Sequence, residues 1–254
     1  MGFEIKEKLV TLDYISVTSS GLNCLKQIPT NFPFIDSNIY TIQIEFPFNF
    51  ISEEDFENFG IKFPSNFHKV GENRRKEYLV GRLCARKALE LAGKINPQSP
   101  NSNIDGSPKW PDGFVGSISH TEHIAAASVT RLYHYSNLGI DIEPIMNKNT
   151  CNIICNEILV PEEDYFLRPK ILESFQKEQY TTLIFSAKES IYKSLYKDVG
   201  NFFGFDSLCL EKAEGGILTF SLRNSLSNKW CKGVLIDVHY KIFKDQIYTF
   251  TVSK

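Results

Sequence analysis

Apolar and polar residues alternate from Tyr40 to Phe46 (YTIQIEF), the period-two pattern of a strand with one buried face. Over Glu72–Ala92 the pattern becomes helical. This stretch holds no proline, has Gly81 as its one glycine, and meets Gly93 where a C′ glycine belongs. Val115–His120, Ile124–Thr130 and Leu138–Ile142 predict strands, with a turn at Tyr133–Asn137 before the last. A helix is expected to begin at Pro161 (PEEDYFL), with acids in its first turn. A longer one is expected over Leu172–Leu195, with a break near Thr181. Alternation returns at Ile217–Leu222, Gly233–Ile242 and Ile247–Val252. Phe48–Phe67, aromatic and punctuated by Pro64, reads as loops around a short helix, and Asn96–Gly113, with four prolines, as a loop. Residues 1–38 carry no legible pattern. Each half runs helix then strands, which predicts an α+β fold of two similar lobes.

Composition narrows the partners. The 254 residues suffice for one large domain or two small ones. A net charge of −2 provides no global field for nucleic acid or acidic membranes, so any polyanion site must be local. The six cysteines form no C-x-x-C pair and read as free thiols in a reducing compartment. Neither a secretory leader nor an apolar run of about 20 residues is legible, so the expectation is a soluble cytoplasmic protein.

Four clusters carry candidate chemistry, each with a plainer alternative. In Gly139-Ile-Asp-Ile-Glu143, alternation puts Asp141 and Glu143 on one strand face, a pair suited to a hard cation or simply to solvent. In Phe185-Ser-Ala-Lys-Glu-Ser-Ile-Tyr-Lys193, Glu189 can bind metal or accept a proton, with Lys193 one turn on to bind phosphate. Alternatively, Ser186 and Glu189 form a capping box, and Glu189 pairs with Lys193. Arg75, Arg82 and Arg86 fall within roughly 40° on one helix, with Arg74 beside them, as a phosphate-binding stripe or a solvated face. Ser119 and His120 end a strand after Gly106–Gly113 and offer donors to phosphate; His120 can equally be a structural hydrogen bonder, as can His123. Together these groups equip a chain to bind a phosphorylated ligand through a divalent metal.

The order R-R-K-E-x-L-x-G-R, W-P-x-G-x-x-G-S-I-S-H, G-I-D-I-E and F-S-A-K-E-S-x-x-K, from Arg74 to Lys193, resembles the 4′-phosphopantetheinyl transferases, in particular the larger enterobactin-synthesis (EntD-like) and Sfp type. The resemblance implies a pseudo-dimer of two α+β lobes, residues 1–135 and 136–254, with the active site in the cleft between them. It implies coenzyme A as substrate, Mg²⁺ or Mn²⁺ on Asp141, Glu143 and Glu189, and catalysis by Glu189 and Lys193. Arg74, Arg75, Arg82, Lys109, Ser119, His120 and Lys193 would hold coenzyme A. The partner would be an acyl, peptidyl or aryl carrier protein, served by a monomer with no nucleic acid and no membrane span. The Sfp type carries Gly-Lys-Pro where this chain has Gly106-Ser107-Pro108 followed by Lys109, and often Trp where Phe185 stands. A Mg²⁺-dependent nucleotide pyrophosphate hydrolase and a non-catalytic coenzyme A-binding protein are the alternatives.

Overall fold

The computed structural model describes residues 25–33, 35–46, 52–63 and 67–254. The alternating stretch forms β2 (Tyr40–Glu45), after a short β1 (Lys26–Ile28) inside the segment that carried no pattern. A short helix α1 (Glu53–Asn58) lies in the aromatic region, parts of which fall outside the described residues. The helical stretch is α2 (Glu72–Leu91). Gly93, at φ +82°, closes it: Gly93 N–H donates to Glu90 O and Lys94 N–H to Leu89 O, the paired bonds of a Schellman end. The proline-rich loop contains a two-residue ladder, β3 (Asn101–Ser102) with β4 (Pro108–Lys109). β5 (Phe114–His120), β6 (Ile124–Arg131) and β7 (Asn137–Pro144) follow as strands.

The middle of the chain departs from expectation. A helix not foreseen, α3 (Lys148–Ile158), starts at Asn147, whose side chain accepts from Thr150 N–H at 2.9 Å. The helix expected at Pro161 is a series of short 3₁₀ turns instead. Asp164 turns extended (ψ 138°), and its side chain accepts from Phe166 N–H, so the first turn does not propagate. The long helix is α4 (Lys177–Val199), starting later than Leu172 and running unbroken through Thr181 to a left-handed Gly200. Ser186 and Glu189 therefore lie mid-helix and form no capping box; Ser186 Oγ bonds Thr249 Oγ1 at 2.9 Å. The tail adds β8 (Leu208–Glu214), which was not foreseen, and the expected β9 (Ile217–Leu222), β10 (Leu235–Phe243) and β11 (Gln246–Ser253).

These strands make two main antiparallel sheets, ordered β1-β2-β6-β5 and β7-β11-β10-β9-β8. α2 packs on β6, β2 and β5, and α4 on β7, β11 and β10. The edge strands β5 and β7 run side by side. Ser117 Oγ accepts from Ile140 N–H and Ser119 Oγ from Ile142 N–H, each at 3.1 Å. Both partner numbers rise together, so the strands are parallel, and serine hydroxyls satisfy edge N–H groups that would otherwise be orphaned. A buried cluster of Phe32, Val115, Leu138, Ile140, Ile142, Tyr248 and Phe250 fills the junction between the sheets.

Two features hold α4 in place. A Cβ on Gly139 would lie 1.9 Å from Ser190 O, so only glycine lets the helix lie directly on β7. Lys188 is wholly buried and donates to Glu163 Oε2 (2.5 Å), Ile158 O (2.9 Å) and Phe205 O (3.1 Å). Glu163 in turn accepts from Val160 and Leu210 N–H. Burial pushes the Glu163 carboxyl up and the Lys188 amine down, and each is opposed by the charge of the other.

Candidate active site

The sheet junction presents one carboxylate to two neighbouring elements. Asp141, on β7, is 2% exposed. Its Oδ1 accepts from Ser119 Oγ of β5 at 2.9 Å and from Lys193 Nζ of α4 at 2.6 Å. Ser119 Oγ already accepts from Ile142 N–H, so its own hydrogen is directed to Asp141. Lys193 Nζ also lies 3.4 Å from Ser119 Oγ. The Lys193–Asp141 contact replaces the Glu189–Lys193 pair offered by helical spacing. Asp141 Oδ2 is buried and has no hydrogen-bond partner.

Glu143 and Glu189 flank this cluster. Burial, then the negative charge of Asp141, raises the Glu143 carboxyl to about 8. Burial also raises Glu189, with Lys193 opposing and Asp141 adding to the rise. Acids that raise one another form a site short of positive charge. The orphaned Asp141 Oδ2 and the all-oxygen donors suit a hard divalent cation. Among the described residues, no three His, Cys, Asp or Glu side chains stand gathered in ligating positions. Lys193 supplies the counter-charge at Asp141 instead.

From Lys193 and His120 a cavity of about 860 Å³ opens outward. Its walls include Arg74, Arg82, Lys109 and Trp110 on one side and Tyr192 and Tyr196 of α4 on the other. Arg82 is 4% exposed, stacks 4.8 Å over the Tyr78 ring and donates to Ser102 Oγ at 2.9 Å; its Nε has no partner. A buried guanidinium with an unused donor suits an incoming anion. Arg74 Nη1 lies 2.7 Å from His120 Nε2. Burial, with Arg74 and Lys193 nearby, lowers His120 to about 4, so its imidazole is neutral at pH 7.

The helix stripe divides. Arg75 and Arg86 are not among the residues lining the cavity. Arg75 donates to Val70 O and His68 O, and Arg86 to Phe59 O, so both close loops against α2. Arg82 and Arg74 are the two whose side chains reach the cavity wall. Helical angle alone groups Arg75 with Arg82, but α2 has different neighbours at its two ends, and these decide what each side chain meets.

The model of the 4′-phosphopantetheinyl transferase N-terminal domain matches residues 63–130, and that of the 4′-phosphopantetheinyl transferase superfamily matches residues 137–250. Enterobactin synthase component D of Escherichia coli O157:H7 is 32% identical over 171 residues, which cover 67% of this chain and 76% of that protein. The chain belongs to the 4′-phosphopantetheinyl transferase superfamily. Enterobactin synthase component D of Salmonella typhimurium is 36% identical over 138 residues, 54% of this chain and 55% of that protein. The 4′-phosphopantetheinyl transferase Svp of Streptomyces mobaraensis is 34% identical over 139 residues, 52% of each. The chain thus spans about half the length of the relatives of Salmonella and Streptomyces.

In this superfamily member the sequence reading missed several wall residues. Glu77, Tyr78, Ser102, Tyr192 and Tyr196 line or support the cavity. Glu77 was visible as the i+3 partner of Arg74, and Tyr192 and Tyr196 as an i, i+4 aromatic pair whose rings lie 5.4 Å apart. Ser102 carried no signal, since only folding brings the proline-rich loop onto α2.

Proposed function

We propose that this chain transfers the 4′-phosphopantetheine arm of coenzyme A to a serine of an acyl, peptidyl or aryl carrier protein, releasing 3′,5′-ADP. The observation that carries the reading is the Asp141–Lys193–Ser119 cluster at the head of an arginine-lined cavity. In this reading residues 1–135 and 136–254 are two similar lobes of a pseudo-dimer, and coenzyme A lies between them. Arg82, Arg74, His120 and Lys109 hold the nucleotide phosphates, while Ser119 orients Asp141. The protein acts as a cytoplasmic monomer.

Asp141, through its unpartnered Oδ2, would hold Mg²⁺ or Mn²⁺, with Glu143 and Glu189, which flank it without standing in ligating positions, as the further carboxylates. Bound there, a divalent ion supplies charge neutralisation on the pyrophosphate of coenzyme A. The chain's own residues do the rest. Glu189, its carboxyl raised by burial, takes the proton of the carrier serine as the serine oxygen attacks the phosphorus bearing pantetheine. A serine O–P bond forms, and the P–O bond to 3′,5′-ADP breaks. Lys193 meets the negative charge that gathers on the departing phosphate.

Intact-mass spectrometry of apo carrier proteins, mixed with this protein, coenzyme A and Mg²⁺, tests the reading. The expected outcome is a gain of one phosphopantetheine that EDTA abolishes. Coenzyme A cleavage without carrier modification would instead identify a pyrophosphate hydrolase.

A further inference from the structure

Glu77 is a carboxylate in the wall of a cavity that also holds Asp105 and Asp112, and it stands next to two of the groups offered to anions. It lines the wall beside Arg74 and His120, and its side chain is 19% exposed. Its Oε2 accepts from Arg74 Nη1 at 3.3 Å and lies 3.5 Å from His120 Nδ1. Arg74 is 59% exposed, and an exposed pair of this kind adds little to stability. Its placement therefore calls for another reason.

The geometry of the ring gives one. Arginine only donates, so His120 Nε2, 2.7 Å from Arg74 Nη1, is the acceptor. A neutral His120 then carries its hydrogen on Nδ1, the nitrogen that faces Glu77. One carboxylate oxygen thus sets the direction of a flexible guanidinium and favours one tautomer of the neighbouring imidazole.

We propose that Glu77 is a positioning residue, which aims Arg74 and fixes His120 as the Nδ1–H tautomer so that both meet the phosphates of coenzyme A preorganised. The proposal rests on the coenzyme A reading of the same cavity. It opposes a simple charge argument, in which a carboxylate near phosphate weakens binding and its removal strengthens it. The two views predict opposite signs.

Two readouts on Glu77→Met and Glu77→Gln separate the possibilities. The first needs no ligand: long-range ¹H–¹⁵N correlation spectra of the imidazoles, with His120 assigned among the five histidines through His120→Gln. Wild type should show Nδ1–H, and Glu77→Met a mixture with Nε2–H. The second is calorimetric titration with coenzyme A. Glu77→Met should raise the Kd about tenfold, the loss of roughly one charge-assisted hydrogen bond, and Glu77→Gln, which keeps an acceptor, should raise it less. An unchanged tautomer, or variants that bind coenzyme A as well as or better than wild type, would overturn the proposal. Wild type that binds no coenzyme A would instead overturn the transferase reading, and the tautomer spectra would still decide what Glu77 does.

Discussion

Lys193 Nζ sits 2.6 Å from Asp141 Oδ1, joining α4 to the edge strand of the second sheet at the point where that strand meets the first. The two residues lie 52 positions apart, yet the contact holds one carboxylate oxygen and leaves the other without a partner. Asp141→Asn should lower carrier modification by three orders of magnitude or more, since it removes the charge at the centre of the cluster. Lys193→Met should cost about 10²–10³-fold in turnover, the usual effect of deleting one donor to a developing oxyanion. Rates from intact-mass time courses check both, and near wild-type turnover in either would remove that residue from the chemistry.

The division of the arginine stripe is testable by binding. Arg82→Met should weaken coenzyme A by about 10–100-fold, because it removes a buried charge-assisted donor. Arg75→Met loses bonds to Val70 O and His68 O, away from the cavity lining, and should leave affinity within about twofold. Equal losses in titration calorimetry would show that both reach the ligand.

Gly139→Ala places a methyl where Ser190 O already stands. α4 must then move off β7, at a cost of about 1–3 kcal/mol. Urea denaturation should show the loss of stability, and transfer should fall as well, because Glu189 and Lys193 ride on the displaced helix. Undiminished stability would mean that the helix has room to shift.

The buried Glu163–Lys188 pair predicts strong non-additivity. Lys188→Met leaves a buried carboxylate with no counter-charge and should cost about 3–5 kcal/mol. Adding Glu163→Gln removes the uncompensated charge but, with one carbonyl oxygen, keeps an acceptor for only one of the Val160 and Leu210 N–H groups, so it should recover part of that loss. Denaturant midpoints of the three variants close the cycle, and simple additivity would contradict the pairing.

His120 gives the pH dependence. Its value in the folded protein, about 4, lies below the unfolded 6.5. Between these values the unfolded chain binds more protons, so this contribution to stability is present above pH 6.5 and is lost as pH falls towards 4. Partial exposure holds the effect to the order of 2 kcal/mol. Glu143, raised to about 8, slopes the opposite way, so the informative quantity is the difference between wild type and His120→Gln measured across pH 4.5–7.5. A pH-independent difference would show that His120 titrates alike in both states.

Local pattern was enough for the strands around Asp141 and for α2, because their periods and end signals are carried within a few residues, as at Gly93. It was also enough for the motifs that led to the family. Where signals compete locally, the reading failed: Pro161 and two acids promised a helix, but Asp164 bonded its own backbone and turned the chain. Only the tertiary structure decided which charges meet. Helical spacing offered Lys193 to Glu189, yet packing across Gly139 gave it to Asp141. Spacing placed Arg75 beside Arg82, yet their loops sent one to backbone carbonyls and the other to the cavity. The physical reason is range: backbone hydrogen bonding is settled between near neighbours in sequence, whereas a charge pairs with whatever the packed elements bring within a few ångströms.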